Sequence, residues 1–165
     1  MIWSRRSFVE KGDGSMNYRA IDIAKYILRY CTEQNRPISN LKLQKMLYFI
    51  WMDFYKETGR DLFRDEFCAW QLGPVIPDVY DEYCAYAGMP IIATCPVEEI
   101  NSQDRRVLDS RIEKYIPISA SALVDRAHQP DTPWSLIYKG PARRGDVIPF
   151  SRMKEWSDQN DNVAT

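Results

Sequence analysis

The run from Leu41 to Met52 constrains this chain more than any other stretch. Leu43, Met46, Leu47, Ile50 and Phe54 recur at the three- and four-residue spacing of one helical face. Tyr48, Phe49, Trp51 and Met52 extend the apolar character around most of the circumference. A helix with so little polar side belongs at the centre of a fold, with other elements packed around it. Its ends are marked as well. Ser39 is placed to cap the free amides, Ile38 and Leu43 to form a hydrophobic staple, and Gly59 to leave the helix in the left-handed conformation. The spacing therefore predicts a central helix over 39–57.

The flanking segments supply what such a helix needs. Ala20, Ile23, Ala24, Ile27, Leu28 and Cys31 form one apolar stripe, with Asn17 as the expected N-cap and Asn35-Arg36-Pro37 as the stop. Glu66–Gln71 reads as a short strand, and Gly73-Pro74 as a turn. Pro77 suits the first position of a helix that stops at Gly88, and Ile91–Pro96 is a strand or an extended loop. A charged helix is expected from Asn101 or Ser102 to Tyr115, and another after Ser119, with Ile118 and Leu123 as its staple. Asp131 or Thr132 can cap a short helix beginning at Pro133. Val147-Ile148 suits an edge strand, and Ser151 opens a last turn or helix. The expected fold is mainly α with a small β element (α+β): about six helices around the central helix 39–57, and two or three short strands. Residues 16–157 form one domain on this reading. Residues 1–15, with the linker-like Lys11-Gly12-Asp13-Gly14-Ser15, are a flexible arm or a start-site extension, and 158–165 a frayed tail.

Composition narrows the function classes. The formal net charge is -1, with 22 basic against 23 acidic residues, which argues against a broad cationic surface for nucleic acid. The four cysteines stand far apart with no Cys-x-x-Cys pair, as in a reduced cytoplasmic protein with no metal site. No apolar run approaches the ~20 residues of a membrane span. His128 is the single histidine, and no nucleophile, metal or phosphate-binding motif surrounds it. It reads first as a structural side chain bridging two helices. No catalytic residue and no cofactor is expected. Lys42 and Lys45 stand three positions apart on the central helix, so that with Tyr48 and Phe49 they suit a partner-binding edge. An alternative makes Lys42, Gln44 and Lys45 the start of a DNA-reading helix, against which the apolar character of Met46–Met52 counts.

Leu41–Phe49 joined to Asp61-Leu62-Phe63, Phe67-Cys68-Ala69-Trp70 and Gly73-Pro74-Val75 resembles the signature of the Panacea domain, the SocA-like antitoxins. His128 followed by Pro133-Trp134 resembles a late element of the same pattern, although Ala127 stands where family members often carry threonine. The resemblance makes Leu43, Leu47, Trp70, Gly73, Pro74, Val75, His128, Pro133 and Trp134 motif residues with structural roles. It also implies an antitoxin associated with prophages or other mobile elements. Such a protein neutralises a cognate toxin, encoded in the adjacent gene, by direct binding, and a cellular protease is a further partner if it acts as a proteolytic adaptor. A DNA-binding operon regulator, or an enzyme using His128, is the alternative.

Overall fold

The computed structural model describes residues 17–143 and 145–160. The expected arm 1–15 lies outside them, as do residues 161–165 of the expected tail. The chain runs α1 (Ala20–Glu33), α2 (Asn40–Thr58), β1 (Phe67–Trp70), β2 (Gly73–Val75) and α3 (Pro77–Tyr83), which a 3-10 turn extends over Cys84–Tyr86. It continues through α4 (Ser102–Tyr115), α5 (Ala120–Ala127), α6 (Pro133–Ile137), β3 (Val147–Ile148) and α7 (Phe150–Gln159). The described residues are thus mainly helical, with a three-stranded antiparallel sheet in the order β2-β1-β3.

α2 is the centre, and α1, α3, α4, α5, α7 and β2 all pack against it. Every residue from Leu43 to Phe54 is buried. The Ser39 hydroxyl accepts from the Lys42 amide at 3.3 Å, and Gly59 leaves the helix at φ 72. Two buried polar contacts tie α2 to its neighbours. The Trp51 indole donates to the Phe63 carbonyl at 2.9 Å, and the Tyr115 hydroxyl donates to the Asp53 carboxylate at 2.5 Å, which Lys114 approaches at 3.2 Å. A buried carboxylate needs such partners, because leaving it bare costs far more than these contacts return.

Three local expectations are corrected. Asn17 does not cap α1. The helix begins one residue after Arg19, and the Ala20 amide donates to the distant Asp65 carboxylate at 2.9 Å. Residues 17–19 instead run extended, with Tyr18 bridging Phe63 and its amide on the Leu62 carbonyl at 3.2 Å. Gly73-Pro74 is not a turn but the start of β2, and the chain reverses at Gln71-Leu72. The last helix starts at Phe150 and continues through Gln159, so Asp158 belongs to it. Ile91–Pro96 is a loop, whose Ile91 amide donates to the Ile38 carbonyl at 2.9 Å.

Asp104, fully buried near the start of α4, accepts from the Tyr18 hydroxyl at 2.8 Å and pairs with Arg60. Burial of Tyr18, together with this contact, raises the tyrosine pKa to about 12. No helix among the described residues is long and apolar enough to cross a membrane.

Candidate functional site

Three polar residues in the first half of α2, Asn40, Gln44 and Lys45, do not face water. They fasten the β-hairpin and the start of α3. Asn40 donates to the Tyr80 carbonyl at 3.1 Å and accepts from Gln44 at 3.0 Å. Gln44 in turn accepts from the Ile76 amide at 3.0 Å. Lys45 lies along the hairpin with its ammonium on the Pro74 carbonyl at 2.8 Å. Ile76 stands between β2 and α3, where its amide has no strand or helix partner, so a side chain must satisfy it.

Lys45 explains Gly73. A Cβ at Gly73 would sit 2.7 Å from Lys45 Cε, and φ there is +106. Only glycine lets the lysine stem cross the strand so closely. Lys45 is 0% exposed, and among the described residues no carboxylate pairs with it. Burial alone lowers its pKa from 10.5 to about 7.

The late motif closes over the same place. The His128 ring stacks on Trp134 with centroids 4.0 Å apart, and Trp134 stacks on Tyr138 at 4.6 Å. The Trp134 indole donates to the Trp70 carbonyl at 2.8 Å, while Trp70 meets Tyr80 edge-on at 5.1 Å. Thr132 caps α6 by accepting from the Ser135 amide, and its oxygen also lies 2.7 Å from the Ala127 carbonyl. Partial burial, then the nearby charge of Lys45, lowers the His128 pKa, and its Nε2 is buried without a partner. The Tyr48 hydroxyl is also buried and unpartnered, and burial raises its pKa well beyond the ordinary tyrosine range.

The structure therefore gathers the motif residues into one assembly. Leu43 and Leu47 lie in the core beneath it, Trp70, Gly73, Pro74 and Val75 form the hairpin, and His128, Pro133 and Trp134 close the other side. The expected partner-binding edge is corrected. Lys45, Tyr48 and Phe49 are 0%, 1% and 2% exposed, because the hairpin and α4 cover the side of α2 that bears them. Lys42 is half-buried and donates to the Ile116 carbonyl at 2.5 Å, where a cation suits the C-terminal end of α4. With Gln44 and Lys45 enclosed, α2 cannot lie in a DNA groove as a reading helix. Asn40, Gln44, Asp53 and Asp104 were not singled out from the sequence as tethers. Asn40 and Gln44 did carry a signal, two amides four positions apart in an apolar helix.

Surface concavities lie elsewhere. An open depression of ≈ 410 Å³ is bordered by Leu136, Lys139, Arg143 and Val147. Among the described residues no three His, Cys, Asp or Glu side chains gather as a metal site.

A helical domain that encloses its signature residues as scaffold is a class in which relatives share the frame first. The family model described as "Antitoxin SocA-like, Panacea domain" matches residues 43–135. The curated protein "Antitoxin SocA" of Caulobacter vibrioides (strain NA1000 / CB15N) is 34% identical over 143 residues, covering 77% of this chain and 73% of that relative. No solved structure matches. The chain belongs to the SocA-like antitoxin family with a Panacea domain.

Proposed function

We propose that this protein is an antitoxin that neutralises a cognate toxin by direct protein–protein binding in the cytoplasm, without performing chemistry. The observation that carries the reading is the 34% identity to "Antitoxin SocA" over most of both chains. The geometry supports it in one respect. The shared motif is a fold determinant, so a family defined by it has a common scaffold and a separate surface on which to meet a partner. Delivery of the bound toxin to a cellular protease, and residence on a prophage or other mobile element, belong to the same proposal.

The test is genetic and then physical. The gene adjacent to this one is expressed alone and with the antitoxin, and growth is followed. Arrest relieved by co-expression, with a complex recoverable from the rescued cells, is the expected result. No toxic neighbour, or rescue without a complex, overturns direct neutralisation. A His128→Gln variant that folds and still rescues excludes a catalytic role for the single imidazole, whereas a folded variant that binds its toxin but no longer rescues would revive one.

A further inference from the structure

The reversal of the hairpin, Trp70 to Pro74, is held by ties to its backbone more than by burial. Gln71 and Leu72 are exposed, and Trp70 is half-buried. Three side chains reach it from α2, the end of α5 and α6. The Lys45 ammonium donates to the Pro74 carbonyl at 2.8 Å, the His128 imidazole is bonded to the Gln71 backbone, and the Trp134 indole donates to the Trp70 carbonyl at 2.8 Å. The two ends of the hairpin are anchored separately. Phe67 and Ala69 are fully buried, Phe67 and Cys68 pair with β3, and Gln44 holds the Ile76 amide. Residues 70–74 can therefore lift while the ends stay in place.

Of the three ties, His128 is the one that can gain a proton in mildly acidic solution. Its Nε2 is buried without a partner, so the bond to Gln71 falls to Nδ1, and the neutral ring carries its proton there. A proton added at Nε2 finds no acceptor, in a place already reached by the Lys45 charge. The groups that face the ring are few. α2 presents Lys45, α5 presents the exposed Asp125, the hairpin presents the Gln71 backbone, and α6 presents the Trp134 ring, whose face favours a cation. Tyr48 of α2 keeps its proton throughout, and Tyr138 stacks on Trp134. Cys68, the titratable residue of the hairpin, answers to Glu66 and Asp146 instead. Burial first, then Lys45, outweighs Asp125 and Gln71, and the ring binds a proton less readily than at its ordinary 6.5.

We propose that His128 and Lys45 make the hairpin reversal a proton-operated latch. A neutral imidazole holds residues 70–74 down, and a proton on it beside the Lys45 ammonium releases them while the rest of the domain stays folded. The open ring takes its proton at the ordinary value and the closed ring below it. Closure is therefore complete above about pH 6.5 and weakens as pH falls from there toward the lower value of the closed ring. Lys45 has taken its own proton by then, at about 7, so its charge is in place when the ring is challenged. Asp and Glu side chains ordinarily titrate below about pH 5 and leave this window to His128.

The experiment is amide hydrogen exchange by NMR on the full chain, corrected for the intrinsic pH dependence of each amide. Trp70 and Gly73, which pair across the hairpin, report the latch, and the amides of α2 from Leu47 to Phe54 report global opening. Protection at Trp70 and Gly73 should fall about fivefold or more between about pH 7 and about pH 5, while that of α2 holds. The same spectra follow the His128 ring, which should titrate below its ordinary 6.5 in the wild type and move toward it in Lys45→Met. Unchanged protection at the reversal, an equal loss in α2, or a wild-type ring that titrates at or above 6.5 overturns the latch. His128→Asn keeps an N–H for Gln71 and does not titrate, so its hairpin protection should stay level with pH. A loss as large as that of the wild type overturns the proposal. The wild-type ring titration decides the matter even where a variant fails to fold.

Discussion

Helix α2 and the segment from Pro77 to Glu99 treat their apolar side chains in opposite ways. α2 hides every side chain from Leu43 to Phe54, lysine and aspartate included, and gives Lys45 a backbone carbonyl and Asp53 the Tyr115 hydroxyl as partners. The later segment anchors itself through Val79 and Ile91 and leaves Tyr86, Met89 and Ile92 in water. The region richest in family signature is thus the one least able to touch anything else. A sequence signature can be a record of packing and not of contact with a partner.

The contrast gives a graded set of expectations. Trp51→Ala removes a fully buried indole and its bond to Phe63, and should cost about 4 kcal/mol in chemical denaturation. A loss under 1 kcal/mol would mean that α2 is not sealed. Gly73→Ala sets a Cβ against Lys45 at a backbone angle that side chains rarely adopt, and a loss of about 3 kcal/mol is expected. Near-wild-type stability would show that the lysine does not lie across the hairpin.

Lys45 also gives the sealed region a pH signature. Its pKa is about 7 in the folded chain against 10.5 ordinarily. Below pH 7 both states hold the proton, and between the two values only the unfolded chain does. Stability should therefore rise with pH through that window, by up to about 1.4 kcal/mol per unit. The rise is best followed to about pH 8, before the unfolded chain's cysteines and then its tyrosines ionise and oppose it, since burial raises Cys31 to about 11 and Cys68 as well. Denaturation midpoints across that range should climb in the wild type and stay flatter in Lys45→Met. The open segment supplies the smallest effect. Ala87 stands at φ 51 and ψ -125, where an alanine is strained, so Ala87→Gly should raise stability by about 1 kcal/mol by thermal melting. A loss would mean that its methyl group makes contacts that outweigh the strain.

Features set by neighbouring residues were legible in the sequence. The caps at Ser39, Ser119 and Thr132, the exit at Gly59 and the start at Pro77 depend on a few adjacent side chains, and the spacing that marks α2 as central lies in one window. Features set by distant partners were not. Asn17 has the right chemistry for a cap, but Asp65 takes the role, and Gly73-Pro74 has turn chemistry but is held as a strand beneath Lys45. The partner edge failed for the same reason. Lys42 and Lys45 suit a surface by residue type, and only the packing of hairpin and α4 shows that each amine answers a carbonyl.

The enclosed amine of Lys45 makes the hairpin observable. An acylating reagent cannot reach Nζ while β2 covers it, yet near neutrality a good share of that amine is unprotonated. Acylation of Lys45 therefore waits on the lifting of β2, and its rate clocks that opening, with the more accessible Lys42 as an internal reference. Compared with and without a bound partner, that clock would report whether binding elsewhere on the protein is felt beneath the hairpin.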